Sequence, residues 1–171
     1  MPESLEIIED YSLCGETDIY IGKNLRYIET TCFDGANKNI TISPENPFYK
    51  TLDGTLILSK DGKRLCAVSK NLDTYDIPKC VETISSNSFF SKTNIMKIRL
   101  SENIKVLEPY SFKNATNLKR IELSNFIEKI GINAFENCGE LREIVIDKAK
   151  DSILGAPWGN PFGLRAVKWL R

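Results

Sequence analysis

The chain has 171 residues, of which 42% are hydrophobic and 27% charged, a balance that suits one well-buried globular domain. Lysine plus arginine and aspartate plus glutamate number 23 each, so a formal charge of zero argues against nucleic acid or an anionic membrane surface as the main partner. Histidine is absent, which removes histidine triads, histidine metal sites and the usual switch near neutral pH.

The amino-terminal run Met-Pro-Glu-Ser-Leu-Glu-Ile-Ile-Glu-Asp has no basic stretch and no long apolar core, so it does not read as a signal peptide. That leaves a cytosolic protein, export by another route, or an excised piece of a longer chain. No run approaches the roughly 18 apolar residues that span a bilayer, so no membrane insertion is expected. Leu5, Ile8, Ser12 and Leu13 share the offsets of Ile104, Leu107, Ser111 and Phe112, so the chain opens inside a coil and shows no polar amino-terminal cap. Ile21, Leu25, Ile28, Cys32 and Phe33 repeat those offsets, closing on Ile40 and Ile42 two residues early. Residues 1–41 therefore form two irregular coils.

Residues 42–76 break the pattern. Ser43-Pro44-Glu45-Asn46-Pro47 is rich in turn formers, and Asp53-Gly54 marks a further turn. The segment 56–68 reads as a β-hairpin on a type I′ Asp61-Gly62 turn, with Leu58 opposite Leu65 and Leu56 opposite Ala67. The stretch is expected to be an enlarged coil with a protruding hairpin, within the same domain.

From Ile77 to Val145 three segments of 23 residues align without a gap. Their columns are Ile77/Leu100/Leu123, Val81/Ile104/Ile127, Ile84/Leu107/Ile130, Phe89/Phe112/Phe135, Ile95/Leu118/Leu141 and Ile98/Ile121/Ile144. Independent draws at this composition would make every place apolar with a probability on the order of 10⁻⁷. Each unit ends apolar-x-x-apolar-x-apolar, as in Leu118 to Leu123, which predicts a strand with one buried face. Glu108-Pro109-Tyr110-Ser111-Phe112 admits a short helical or 3₁₀ turn. A unit this small cannot bury an apolar face alone, so the units stack into a solenoid with an aliphatic ladder and a phenylalanine ladder. The sheet is expected to be parallel and right-handed. Residues 146–171 form a carboxy-terminal cap in which Trp158, Trp169, Phe162 and Leu164 cover the last coil.

Leu118 to Leu123, followed by Ile127, Ile130, Gly131, Ala134, Phe135 and Cys138, resembles the BspA-like leucine-rich repeat of surface proteins from anaerobic bacteria and some parasitic protists. The earlier units depart from it, with Ser85 or Glu108 in the glycine place and Lys92 or Ala115 in the cysteine place. The interruption is similar too, through Asn46, Pro47, Tyr49, Asp53, Gly54, Leu56, Lys60, Asp61 and Gly62, as is the closing segment Ser152 to Gly159. The resemblance implies an α/β right-handed leucine-rich-repeat solenoid. It further implies a cell-surface or secreted adhesion role, with host or matrix proteins or other cells as partners.

The five cysteines, Cys14, Cys32, Cys66, Cys80 and Cys138, include no Cys-x-x-Cys spacing, so no zinc site is expected. They are expected to be reduced, with Cys14 and Cys32 the best-placed pair for a disulfide because they sit around the same turn of adjacent coils. Asp53 and Asp61 lack the ligand series of a calcium loop and read as turn residues. Asn39 and Asn114 head glycosylation sequons, but Ile40 reads as strand core, which disfavours a glycan at Asn39. Glu140 and Glu143 are close enough to share a surface, and without a cleft they read as a solvated face rather than a catalytic pair. No catalytic residue, metal or cofactor is expected.

The remaining candidate is the outward row of the strands: Lys97, Arg99, Arg120, Glu122, Glu143 and Val145, expected on one continuous surface. An extended mixed-charge face suits a protein-binding solenoid, whereas cross-strand ion pairs such as Arg99 with Glu122 would serve solubility alone. A non-enzymatic protein-binding module is the first expectation and an intracellular interaction scaffold the alternative.

Overall fold

The structure is a computed structural model that describes residues 3–13, 17–33 and 37–171. In chain order its strands are β1 (Ile7–Ile8), β2 (Ile19–Ile21), β3 (Tyr27–Ile28), β4 (Ile40–Ile42), β5 (Tyr49–Leu52), β6 (Leu56–Ser59), β7 (Arg64–Val68) and β8 (Thr74–Asp76). They continue with β9 (Thr83–Ile84), β10 (Lys97–Arg99), β11 (Val106–Leu107), β12 (Arg120–Leu123), β13 (Lys129–Ile130), β14 (Glu143–Ile146) and β15 (Val167–Trp169). Two sets of parallel ladders run across the coils. One holds β2 with β4, β8 with β10, and β12 with β14 and β15; the other holds β1 with β3, and β7 with β9, β11 and β13. The 23-residue step is explicit in the register, for Lys97 lies opposite Thr74, Val106 opposite both Thr83 and Lys129, and Arg120 opposite Glu143. The first coils are shorter, with Ile7 opposite Tyr27 and Ile19 opposite Ile40.

The apolar columns form the core. Every column residue except Leu100 is buried, because stacking equivalent residues removes one another's faces from water. Phe89, Phe112 and Phe135 pile as predicted: ring centroids lie 4.8 Å apart for the first pair and 5.9 Å for the second, with planes 9° and 22° apart. Tyr75 closes one end of the pile edge-on, 5.2 Å from Phe89.

The middle of each regular repeat is a succession of turns, and the 3₁₀ segments lie at Thr30–Phe33 and Gly163–Ala166. Two positions per repeat have positive φ, which stops a helix from propagating: Asn87, Tyr110 and Asn133, then Ser91, Asn114 and Asn137. Asparagine fills four of those six places, as its tolerance of left-handed backbone predicts. The turns also bind across coils, since Phe89 N–H donates to the Ser111 carbonyl at 2.9 Å and Phe112 N–H to that of Ala134 at 2.9 Å. Gly131 is required by proximity, because a Cβ there would lie 2.6 Å from the carbonyl carbon of Glu108.

The interruption differs from expectation in four ways. It is a three-stranded antiparallel meander of β5, β6 and β7, and β7 pairs in parallel with β9, so the meander extends the solenoid sheet. It does not protrude: Leu56, Leu58, Leu65 and Val68 belong to the core of the regular repeats, and Ile57 and Ala67 to the core of the amino-terminal coils. Leu58 does oppose Leu65, but a bulge beyond Ile57 sets Leu56 opposite Val68 instead of Ala67. The paired positive-φ turn falls at Asp53-Gly54, with φ of 51° and 63°, and the Thr55 N–H donates to the Leu52 carbonyl at 3.1 Å. At Asp61-Gly62 only the glycine has positive φ. The Asp61 carboxylate there accepts from the Ser59 hydroxyl at 2.6 Å and the Lys63 N–H at 2.9 Å.

Two Asn-Pro-Phe sequences do the same work at separate places. The buried Asn46 amide donates to the Gly22 and Leu25 carbonyls while its oxygen takes the N–H groups of Phe48 and Tyr49. Asn160 likewise donates to the Leu141 carbonyl at 2.8 Å and accepts from Phe162 at 2.8 Å. Each side chain satisfies carbonyls that the preceding coil leaves open. Trp158 is buried against the last coil, with its ring 6.3 Å from Trp169, whereas Leu164, expected to cover that coil, is 66% exposed.

Lys92 occupies the column that holds Ala115 and Cys138, and it is buried. Its ammonium donates to the Phe33 carbonyl at 2.9 Å, spanning the two cores. Cys32, Cys66, Cys80 and Cys138 are free thiols, and Cys14, the expected partner of Cys32, lies outside the described residues.

Candidate functional site

The alternation of strands places Lys97, Arg99, Arg120 and Glu122 outward and exposed, with Glu143 half-buried beside them. Val145 is buried and so is no part of an exposed face; in register it lies between Glu122 and Lys168, whose long side chains flank it. The face is also divided. Lys97 and Arg99 belong to the β8–β10 pair, and the others to the sheet of β12, β14 and β15.

At the regular steps on either side, backbone bonds tie successive coils together: Met96 N–H to the Asp73 carbonyl at 2.8 Å, and Arg142 N–H to the Lys119 carbonyl at 3.0 Å. The equivalent bond from Lys119 N–H to the Met96 carbonyl is not made, and β10 and β12 form no ladder. A cleft of about 500 Å³ lies over the opening, lined by Met96, Lys97, Ile98, Arg99, Leu100, Lys119, Arg120 and Glu122. A closed ladder would set Lys97 directly opposite Arg120, and like charges so placed disfavour closure.

Ion pairs follow the division. Arg99 holds Asp76 at 2.7 Å, so the expected pair with Glu122 is not formed. Glu122 pairs instead with Arg120 on its own strand, Arg120 also holds Glu143, and Glu143 takes Lys168 from β15. Those bonds to Lys168 and Arg120 hold the Glu143 carboxyl below its ordinary range. A general acid working near neutrality needs the opposite shift. Glu140 sits 3.6 Å from Arg142, and no group of His, Cys, Asp and Glu suited to a metal ion exists among the described residues. The ammonium groups of Lys97 and Lys119 have no ion pair or hydrogen bond among the described residues. Sequence reasoning had passed over Met96 and Lys119; the signal was there in the like-charged Lys97/Arg120 column.

Stacked short coils, parallel ladders and an open strand face define a leucine-rich-repeat solenoid, a class of protein-interaction modules. The chain matches the family described as BspA type leucine rich repeat region, in six copies over residues 1–53 and 63–156, and it belongs to that family. No curated protein matches it. Among solved structures it is similar to a leucine-rich cell surface protein from Faecalibacterium prausnitzii A2-165, at 20% identity and a TM-score of 0.63, over 99% of this chain and 52% of that one. It is also similar to the pneumococcal vaccine antigen PcpA, at 18% identity and a TM-score of 0.61, over 84% of this chain and 42% of that one. A leucine-rich repeat protein from Eubacterium ventriosum matches at 18% identity and a TM-score of 0.57, over 77% of this chain and 42% of its own. The chain thus spans about half the length of these structures or less. Among the described residues no helix is long and apolar enough to cross a membrane.

Proposed function

We propose that the chain is a non-enzymatic protein-binding module that acts at the cell surface or in the secreted state, in adhesion to host or matrix proteins or to other cells. The observation that carries this reading is the mixed-charge strand face, with exposed Lys97 and Arg99 on one ladder and exposed Arg120 and Glu122 beside half-buried Glu143 on the next. The names of two similar structures, a cell surface protein and a vaccine antigen, support the location. The test is binding of the purified chain to immobilised matrix proteins and intact cells, compared with its Arg120→Glu and Glu143→Arg variants. Binding lost on either charge reversal supports the face as the site; binding unchanged by both rejects it.

A second reading, an intracellular interaction scaffold, draws support from the free thiols, which suit a reducing compartment. Surface labelling of intact producing cells separates the two, since protection of the protein from a membrane-impermeant reagent rejects the adhesion reading.

A further inference from the structure

We infer that the opening between β10 and β12 is the docking site for an extended acidic segment of a partner polypeptide, one that carries an apolar side chain between carboxylates. The inference deepens the binding reading above and rests on it. Three observations converge on the opening. Lys97 and Lys119 flank it as cations without partners among the described residues, whereas Arg99, Arg120 and Lys168 nearby each hold a carboxylate. Two unmatched ammonium groups on an otherwise neutralised face call for two carboxylates spaced along an extended chain. Part of the lining beside them is apolar: Met96, which is 53% exposed, buried Ile98, and half-buried Leu100, the least buried of its column. Finally, among the described residues the Lys119 N–H and the Met96 carbonyl make no backbone bond, so both are open to a peptide lying over the cleft.

A uniform polyanion such as a sulfated polysaccharide fits less well. The apolar part of the cleft lining would go unused.

The test uses a short fluorescent peptide that alternates glutamate with leucine and serine, its counterpart with lysine for glutamate, and heparin. The acidic peptide is expected to bind with an affinity that falls as salt rises, and the lysine peptide not to bind. Lys97→Glu with Lys119→Glu should weaken the acidic peptide at least ~10-fold. Hydrogen exchange at the Lys119 amide should slow when the peptide is added. Both lysines are exposed, so the double variant should fold, and unchanged thermal melting checks this. Equal affinity of the parent and the double variant overturns the inference, as does failure of the acidic peptide to bind or binding of heparin alone. If a matrix or cell partner is lost on Arg120→Glu but kept by the double lysine variant, the acidic-segment assignment falls while the binding face stands.

Discussion

Arg99 reaches back to Asp76, 2.7 Å away on the preceding coil, and leaves Glu122 on the following coil to Arg120. The choice follows the ladders: β10 pairs with β8, which carries Asp76, and forms no ladder with β12, which carries Glu122. A double-mutant cycle on Arg99 and Asp76 should give a coupling of roughly 0.2–1 kcal/mol, as for exposed pairs, and a cycle on Arg99 and Glu122 none. A measurable Arg99–Glu122 coupling would mean that the ladder closes in solution.

Phe112 is the middle rung of the aromatic pile and has no exposed surface. Phe112→Ala should cost roughly 3–5 kcal/mol in chemical denaturation, because the cavity is walled by rigid neighbours on both sides. A cost below about 1 kcal/mol would contradict that burial.

Gly131 and Gly139 offer a matched pair. Gly131→Ala drives a methyl group into the Glu108-Pro109 backbone of the coil before it and should cost about 1–3 kcal/mol. Gly139→Ala meets nothing nearer than the Thr116 carbonyl oxygen at 3.9 Å and should stay within about 0.5 kcal/mol of the parent. Equal effects from the two would disprove the close approach.

Burial pushes the Cys32 and Cys138 thiols up to about 12 and that of Cys66 to about 11, while Cys80 is exposed. In a Cys14→Ser background a thiol-specific reagent near pH 8 should therefore modify Cys80 first, because only the thiolate reacts. Cys32 and Cys138 should react only as the chain unfolds. Early modification of Cys138, mapped by mass spectrometry, would show that its coil opens locally.

Several carboxyls are held below their ordinary pKa in the fold: Glu82 by its bonds to Lys105 and Lys63, Glu143 by those to Lys168 and Arg120, and Asp147 by Arg171. The stability they contribute is complete above the ordinary values of 4.5 for glutamate and 3.8 for aspartate. It is lost as pH falls through the lower folded values. The denaturation midpoint should accordingly decline in acid below about pH 5, and Glu82→Gln with Glu143→Gln should flatten that decline. An unchanged acid slope in the double variant would mean that these pairs do not persist in solution.

The columns were legible because stacking repeats one solution: Phe89, Phe112 and Phe135 needed only the spacing to be placed together. The register of the meander was less so, since a bulge beyond Ile57 changes which side chains meet without changing the pattern of residue types. β5 went unnoticed because Tyr49-Lys50-Thr51-Leu52 has no strong alternation, and pairing with β6 is what makes it a strand. Nothing local marks Lys92 as a bridge to the Phe33 carbonyl, 59 residues away. The split face was half-visible: the Lys97/Arg120 column sets two like charges in one row, but nothing in the residue types says that β10 and β12 form no ladder there.

The meander has a further consequence. Its alternate residues seal two separate interiors, Leu56 and Leu58 on one side and Ile57 and Ala67 on the other, so it acts as a bulkhead. A bulkhead keeps a breach in one compartment from flooding the next. Windings gained or lost beyond the first regular repeat, whose Lys92 holds the Phe33 carbonyl, would leave the amino-terminal pair packed as it is, so such a chain can change its length without rebuilding both interiors.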